Sequence, residues 1–280
     1  MNNNDIKQEV KRRYGAFAEG GGHQESCCAS QAATPGFAMD QGLYSEDELS
    51  LVPDTALDLS RGCGNPTGFA ALAAGEVVVD FGCGGGIDVI LAAHKVGPEG
   101  RVVGRDFTPP MIERAKENVA KAGIEAQVDL EVADMTDTGL SDASADVIIS
   151  NCVINLVPDK DAVYREAFRV LRPGGRLAIS DIVLSEPISP DLAERFQTEW
   201  TGCMGGALPE PDYLDLVRQA GFAEPEIVSR HVLSPPELDA MARRPGEAFT
   251  QAPGTEDLAA VTGKVTSIKF KALKPETTRV

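Results

Sequence analysis

Six cysteines stand in this chain, Cys27, Cys28, Cys63, Cys83, Cys152 and Cys203, and no two of them have C-x-x-C spacing. Zinc ribbons and thioredoxin-like redox sites therefore lose their usual signature, and no structural metal is expected. Thiolates remain nucleophiles, redox couples and ligands for soft, thiophilic centres. Cys152 directly follows an apolar run in SNCVINL, Cys203 lies beside a glycine pair in WTGCMGGAL, and Cys63 sits in RGCGNP, just ahead of a helix that precedes the first core strand. All three fall in turns, where function concentrates. Free cysteine is also a small buried hydrophobe. That packing role is given to Cys83, whose backbone rather than thiol is expected to bind.

A second chemical signal is the run EVVVDFGCGGG from Glu76 to Gly86. Apolar strand residues deliver the backbone into alternate glycines, Gly82, Gly84 and Gly86, and helical spacing resumes at Ile87, Ile90 and Leu91. A parallel strand, a glycine-rich turn and a helix N-terminus together form the place where α/β sheets hold nucleotide-like ligands. A dinucleotide fingerprint would need glycine at position 87, so an NAD-type ligand is disfavoured. The spacing D-x-G-x-G-x-G from Asp80 instead fits a loop around the amino-acid end of S-adenosylmethionine. Arg101 to Gly104 reads as the next strand, ending at Asp106, an acid placed to accept the ribose hydroxyls, with Thr108 sufficing as the cap of the following helix. After a third strand, Val128 to Val132, Asp134 is expected near the adenine amine and Met135 on its ring. Phe107 and Asn151 complete the expected cofactor-binding set.

These residues need a sheet to place them. From Glu76 to Leu184 the pattern reads strand, helix, strand, helix, strand, strand, helix, strand. Its fourth strand is Ala145 to Ser150, and a helix from Lys160 to Leu171 stops at Arg172, Pro173, Gly174 and Gly175, a turn into a fifth strand, Leu177 to Ile182. Helices around Leu192 to Trp200 and Pro211 to Ala220 follow, then strands near Glu226 to His231 and Lys264 to Leu273 suited to an antiparallel hairpin. A leading amphipathic helix, Asp5 to Ala18, precedes a Gly, Ser and Ala rich linker, Glu19 to Pro35, which carries Cys27 and Cys28, and Pro235 to Gly254 reads as a partly helical insertion. At 280 residues the chain is long enough for a large core. The expected parts are an N-terminal cap and linker over 1–70, a cofactor-binding core over 71–185 and a C-terminal region over 186–280 that completes the sheet.

A net charge of −17 with no basic stripe argues against a nucleic-acid substrate. No apolar run approaches a membrane span and the polar start MNNNDIKQEV is no secretory signal, so a cytoplasmic protein is expected.

Three thiolates converging beside a methyl donor suit a soft acceptor such as trivalent arsenic, which takes three sulfurs in a pyramid and keeps a lone pair to act as nucleophile. The chain resembles the S-adenosylmethionine-dependent arsenite methyltransferases from about Val10 to KVTSIKFKALKP, in GCGNP (Gly62 to Pro66), DFGCGGG, SNCVINLVPDK (Ser150 to Lys160), FRVLRPGGRLAISDIV (Phe168 to Val183) and GCMGGAL (Gly202 to Leu208). The resemblance implies a class I, Rossmann-like seven-stranded sheet and methylation of arsenite and methylarsenite for arsenic detoxification. It implies that Cys152 and Cys203 hold arsenic throughout, that Cys63 is the third ligand, and that Cys27 or Cys28 exchanges disulfides with Cys63. A thiol reductant of glutathione or thioredoxin type is the implied co-substrate. Arg61 and Arg105 stand where apolar residues are expected, and His23, His94 and His231 look incidental because methyl transfer needs no general base. The rival readings are a C- or O-methyltransferase of quinone or lipid type and an S-adenosylmethionine-binding metalloid sensor.

Overall fold

The computed structural model describes residues 2–20, 43–199, 202–242 and 255–276. Cys27, Cys28, His23, Trp200, the expected linker beyond Gly20 and the end of the 235–254 insertion lie outside the described residues. Ahead of the sheet come α1 (Asn3–Glu19), α2 (Glu46–Ser50), α3 (Asp54–Leu57) and α4 (Pro66–Phe69). Asn2 and Asp5 close a reciprocal capping box at the start of α1, and Val10, Phe17 and Ala18 form its buried stripe.

The expected alternation then appears in full: β1 (Val77–Phe81), α5 (Ile87–Val96), β2 (Arg101–Asp106), α6 (Pro109–Ala122), β3 (Val128–Val132), β4 (Ala145–Asn151), α7 (Lys160–Val170) and β5 (Leu171–Leu184). After these come α8 (Pro190–Glu199), α9 (Glu210–Gln219), β6 (Glu226–Val232), α10 (Pro235–Ala242), α11 (Thr255–Val261) and β7 (Val265–Leu273). The strands form one sheet in the order β3-β2-β1-β4-β5-β7-β6, parallel from β3 to β5 and antiparallel where β7 meets β5 and β6. This is the class I methyltransferase fold, with the antiparallel pair expected at its end.

Pleating sends neighbouring residues of each central strand to opposite faces. Val78, Val147, Ile149 and Ala178 pack under α5 and α6, while Val79, Ile148, Leu177 and Ile179 pack under α7 and α9. The order of strands reverses between β1 and β4, so the loops leaving their carboxyl ends diverge and open a crevice.

One boundary differs from expectation. The segment Arg172 to Gly175 is not a turn between α7 and the fifth strand; α7 ends at Val170 and β5 begins at Leu171. Leu171 pairs with Ala145, and pairing resumes at Val147 and Arg176 across an irregularity. Backbone bonds between Gly174 and Lys274 (2.9 Å), and between Lys274 and Gly175 (2.8 Å), tie this stretch to the chain just beyond β7. Partners about a hundred residues away thus hold as strand what local letters read as a stop.

Candidate active site

The glycine turn leaves β1 at the crevice. Gly82 has φ +77°, and a Cβ there would lie 2.5 Å from Val153 Cγ2, so only glycine lets the turn lie this close to the loop after β4. Around the turn opens a cavity, lined on one side by the glycine turn itself and on the other by the ends of β2 and β4. Asp80, Gly82, Cys83, Gly84, Asp106, Phe107, Met135 and Asn151 all line it. Gly86 instead takes the N-cap position of α5. Cys83 is buried beside Gly104, consistent with a packing role for its thiol.

Three buried acids lie on the cavity wall. Burial, with the charges of Asp88 and Asp106, pushes the Asp80 carboxyl up. Asp88 is pushed up to about 6 by burial, against hydrogen bonds from Asn151 and Tyr44. Burial likewise raises Asp106, against bonds from Thr108 and Gly84. Asp106 Oδ2 accepts the Gly84 N–H at 3.0 Å and Oδ1 accepts the Thr108 N–H at 2.9 Å, and the Thr108 side chain bonds the carboxylate as well, which leaves it acceptor capacity for a ligand hydroxyl. Thr108 was expected to cap α6 through its side chain; it makes no such bond, because Asp106 organises that turn instead. Arg61 is the one cationic residue among the described lining residues. Its Nε and Nη2 are buried without a hydrogen-bond partner.

The thiols converge at the edge of this cavity. Gly62 and Asn151, which line it, immediately precede Cys63 and Cys152. Cys152 lies just past β4 at φ +62°, a left-handed conformation that costs a β-carbon residue about 1 to 3 kcal/mol. Its N–H is tied to Ser180 O at 2.8 Å. The Cys152 Sγ lies 3.2 Å from Cys203 Sγ, and Cys203 Sγ donates to Cys152 O at 2.7 Å. The Sγ atoms of Cys63 and Cys152 and a carboxylate oxygen of Asp181 all lie within 4.8 Å of one another. Hydrogen bonds with Cys203 and Cys63, and then burial, hold Cys152 well above the usual thiol range. Although each lies in a turn, all three cysteines are buried, at 3% for Cys63, 3% for Cys152 and 9% for Cys203.

Asn151 is the hub of that arrangement. Its Oδ1 accepts the N–H groups of Cys63 (3.0 Å) and Gly64 (3.1 Å), while its Nδ2 donates to Gly64 O (2.7 Å) and Asp88 Oδ2 (2.9 Å). Expected as a cofactor ligand, it lines the cavity but spends its polar atoms tying the Cys63 turn to β4. The Cys203 turn is fixed by glycine: a Cβ on Gly206 would lie 2.0 Å from Asn155 O.

Residues that the sequence reading missed lie behind the thiols. Asp181, fully buried, accepts from Asn155 N (3.2 Å), Asn155 Nδ2 (2.9 Å), Ile182 N (2.8 Å) and Tyr213 Oη (2.8 Å). Burial outweighs these bonds and pushes it up to about 6. Buried Lys160 donates to Val157 O at 3.2 Å; burial pulls its ammonium down, against the attraction of Asp181 and Cys203. An acid closing the apolar run LAISD was the available signal.

Two expectations need correction. Asp134 does not line the cavity; Lys7 of α1 donates to it at 2.5 Å and Thr136 holds its other oxygen, so the loop after β3 is turned toward α1. At position 105, where an apolar residue is expected, Arg105 is buried beside Phe81 of β1 with its guanidinium held by Asp129, Glu131 and the Thr138 carbonyl. Of the histidines, His231 pairs with Glu237 at 2.8 Å. Among the described residues no helix is long and apolar enough to cross a membrane.

Residues 72–222 match the family described as a methyltransferase domain. The chain is 40% identical over 237 residues to the arsenite methyltransferase of Halobacterium salinarum, covering 81% of this chain and 59% of that one. It is 37% identical over 250 residues to the arsenite methyltransferase of Aquipseudomonas alcaligenes, covering 87% and 69% respectively. It thus spans a little under two thirds of the halobacterial relative's length. Among solved structures it is similar to CrArsM of Chlamydomonas reinhardtii, an arsenic(III) S-adenosylmethionine methyltransferase, with a TM-score of 0.68, 30% identity, and coverage of 82% of this chain and 73% of that one.

Proposed function

The chain belongs to the arsenite methyltransferase family, and on that premise we propose that it moves the methyl group of S-adenosylmethionine to thiolate-bound trivalent arsenic. What carries the reading is the convergence of Cys63, Cys152 and Cys203, from three distant segments, at the rim of the glycine-lined cavity. A quinone or lipid methyltransferase has no use for three thiols there.

The cavity's donor set suits S-adenosylmethionine. Asp106 offers a carboxylate acceptor for the ribose, Met135 an apolar face for adenine, and Asp80 a carboxylate for the ammonium. When bound, S-adenosylmethionine supplies an electrophilic methyl group on a sulfonium, a leaving group that needs no general base. The chain's own contribution is to grip and aim the acceptor. Arsenite is neutral, and each thiol that replaces a hydroxyl group releases one water, so three protons leave with three hydroxides and no charge is stranded. Cys152 and Cys203 form a close pair, while the Asn151 hub brings Cys63 toward them. Lys160 and Asp181 attract one another near the thiols, while burial pulls the Lys160 ammonium down and pushes the Asp181 carboxyl up. Burial excludes water, so the gain in rate comes mainly from alignment.

Methyl transfer formally oxidises arsenic by two electrons. Two cysteine thiolates return them by closing to a disulfide, which a glutathione- or thioredoxin-type thiol reopens. Cys27 and Cys28 are assigned to this exchange with Cys63 by family likeness. In this reading residues 1–70 cap the site, 71–185 bind the cofactor and 186–280 bring Cys203. The test is transfer of labelled methyl from S-adenosylmethionine to arsenite with a thiol reductant. Labelled methylarsenicals support the reading; S-adenosylmethionine binding without any arsenite-dependent turnover contradicts it and favours a sensor.

A further inference from the structure

We propose that Arg61 is the carboxylate receptor of the cofactor site, gripping the amino-acid end of S-adenosylmethionine through the Nε and Nη2 edge of its guanidinium. The inference rests on the cofactor reading above and deepens it. Arg61 Nη1 is already engaged, donating to Ser60 O at 2.6 Å, and the guanidinium lies over the Phe17 ring of α1 at 3.7 Å. These contacts fix the plane of the fork while leaving Nε and Nη2 buried and without a partner. Nε and Nη2 together form the side-on edge that pairs with both oxygens of a carboxylate.

The same chain shows that edge in use elsewhere. Arg169 grips Glu166 through Nε and Nη2 at 2.8 Å each, and Arg218 grips Glu224 through the same atoms at 2.9 and 2.6 Å. Arg61 presents the equivalent edge with no protein carboxylate on it.

Its surroundings indicate which carboxylate belongs there. Arg61 is the one cationic side chain among the described residues lining a cavity that also holds Asp80, Asp88 and Asp106. A ligand carboxylate entering a wall of buried acids is strongly disfavoured unless a cation receives it. An amino-acid zwitterion matches this wall, its ammonium toward the acids and its carboxylate toward the arginine. Arg61 also sits at the appropriate end. Leu59, two residues before it, lies 2.8 Å from where a Cβ of Gly85 in the glycine turn would stand, and Gly62, the next residue, abuts Asn151. Asn151 in turn holds Asp88 at 2.9 Å. The Arg61 backbone is thus anchored between the glycine turn and the end of β4, with its guanidinium over Phe17 of α1.

The test measures binding alone, by calorimetry, with S-adenosylhomocysteine and its neutral carboxamide analogue. The wild type should bind the acid about 10- to 100-fold more tightly than the amide, the scale of a charge-assisted hydrogen bond. Arg61→Met should lose that factor toward the acid and bind the amide within about threefold of wild type, and Arg61→Lys should keep part of the preference. Wild-type protein that binds acid and amide equally overturns the inference with no variant needed. So does an Arg61→Met protein that keeps its affinity for the acid, or that weakens on both ligands equally, which would assign Arg61 to packing against Phe17. Wild-type protein that binds neither ligand overturns the cofactor reading itself, and the inference with it.

Discussion

Replacing Gly64 by alanine should separate the third thiol from the other two without touching any cysteine. A Cβ on Gly64 would stand 2.0 Å from Ser180 Oγ and 2.7 Å from Ser180 Cβ. The first distance is about 1.5 Å short of ordinary van der Waals separation. Ser180 is unable to give way: it is fully buried in β5, pairs with Asn151 on one side and Lys269 on the other, and its carbonyl holds the Cys152 N–H at 2.8 Å. The Cys63 turn must therefore move, loosening the three bonds from Asn151 to Cys63 N, Gly64 N and Gly64 O. Overpacking of this kind costs about 1 to 3 kcal/mol of stability. A displacement of about 1 Å at a reacting group costs roughly 100-fold in rate. The assay is methylation of arsenite, which on the proposed reading needs all three thiols, beside methylation of methylarsenite, which on that reading needs two. We expect Gly64→Ala to lose most arsenite turnover while methylarsenite turnover falls far less. Adding Ser180→Gly removes both obstructing atoms and should restore part of the arsenite rate. Full arsenite activity in Gly64→Ala, as judged against urea unfolding to confirm folding, would refute the reasoning.

Cys63→Ser should likewise lose methylation of arsenite yet keep that of methylarsenite, and the Cys27 and Cys28 double serine variant should do so to a lesser degree; Cys152→Ser or Cys203→Ser should abolish both, as steady-state rates on the two acceptors will show. Asp106→Ala should weaken S-adenosylmethionine binding by about 1 to 3 kcal/mol, and calorimetry giving unchanged affinity would remove Asp106 from the site. A cationic ligand favours the ionised form of the cavity acids, so it lowers their pKa and releases protons on binding. With Asp88 pushed up to about 6 in the free protein, S-adenosylmethionine affinity should rise by about tenfold from pH 5 to pH 7, with proton release seen in buffers of different ionisation enthalpy. For the unliganded fold the sign is opposite: the raised Asp88 and Asp181 carboxyls bind more protons folded than unfolded, so their contribution to stability is present at acid pH and lost as pH rises to about 6.

The parts of the molecule legible in the sequence were those written in local letters. The Val77 to Phe81 run and the alternate glycines announce β1 and its turn because pleating and positive φ are demands on single residues. Cys152 was legible because it follows β4 at the edge where such sheets place their sites. Lost were features fixed by distant partners. Asp134 is claimed by Lys7, 127 positions away, and no local pattern reveals that. Arg172 to Gly175 read as a turn because its strand character depends on Lys274. Asp181 lies inside the expected fifth strand, and its role depends on Asn155 and Tyr213, which bond it from 26 and 32 positions away. The 3.2 Å approach of Cys152 and Cys203 also depends on a contact across 51 residues, inferred from thiol chemistry and family likeness rather than spacing.

Cys63, Cys152 and Cys203 are proposed to hold the arsenic together. X-ray absorption at the arsenic edge on the arsenite-loaded, reduced protein measures that directly. It should find three sulfur neighbours and no oxygen in the wild type, and two sulfurs with one oxygen in Cys63→Ser. A wild-type spectrum that keeps an oxygen neighbour, or a Cys63→Ser spectrum that still shows three sulfurs, would contradict it.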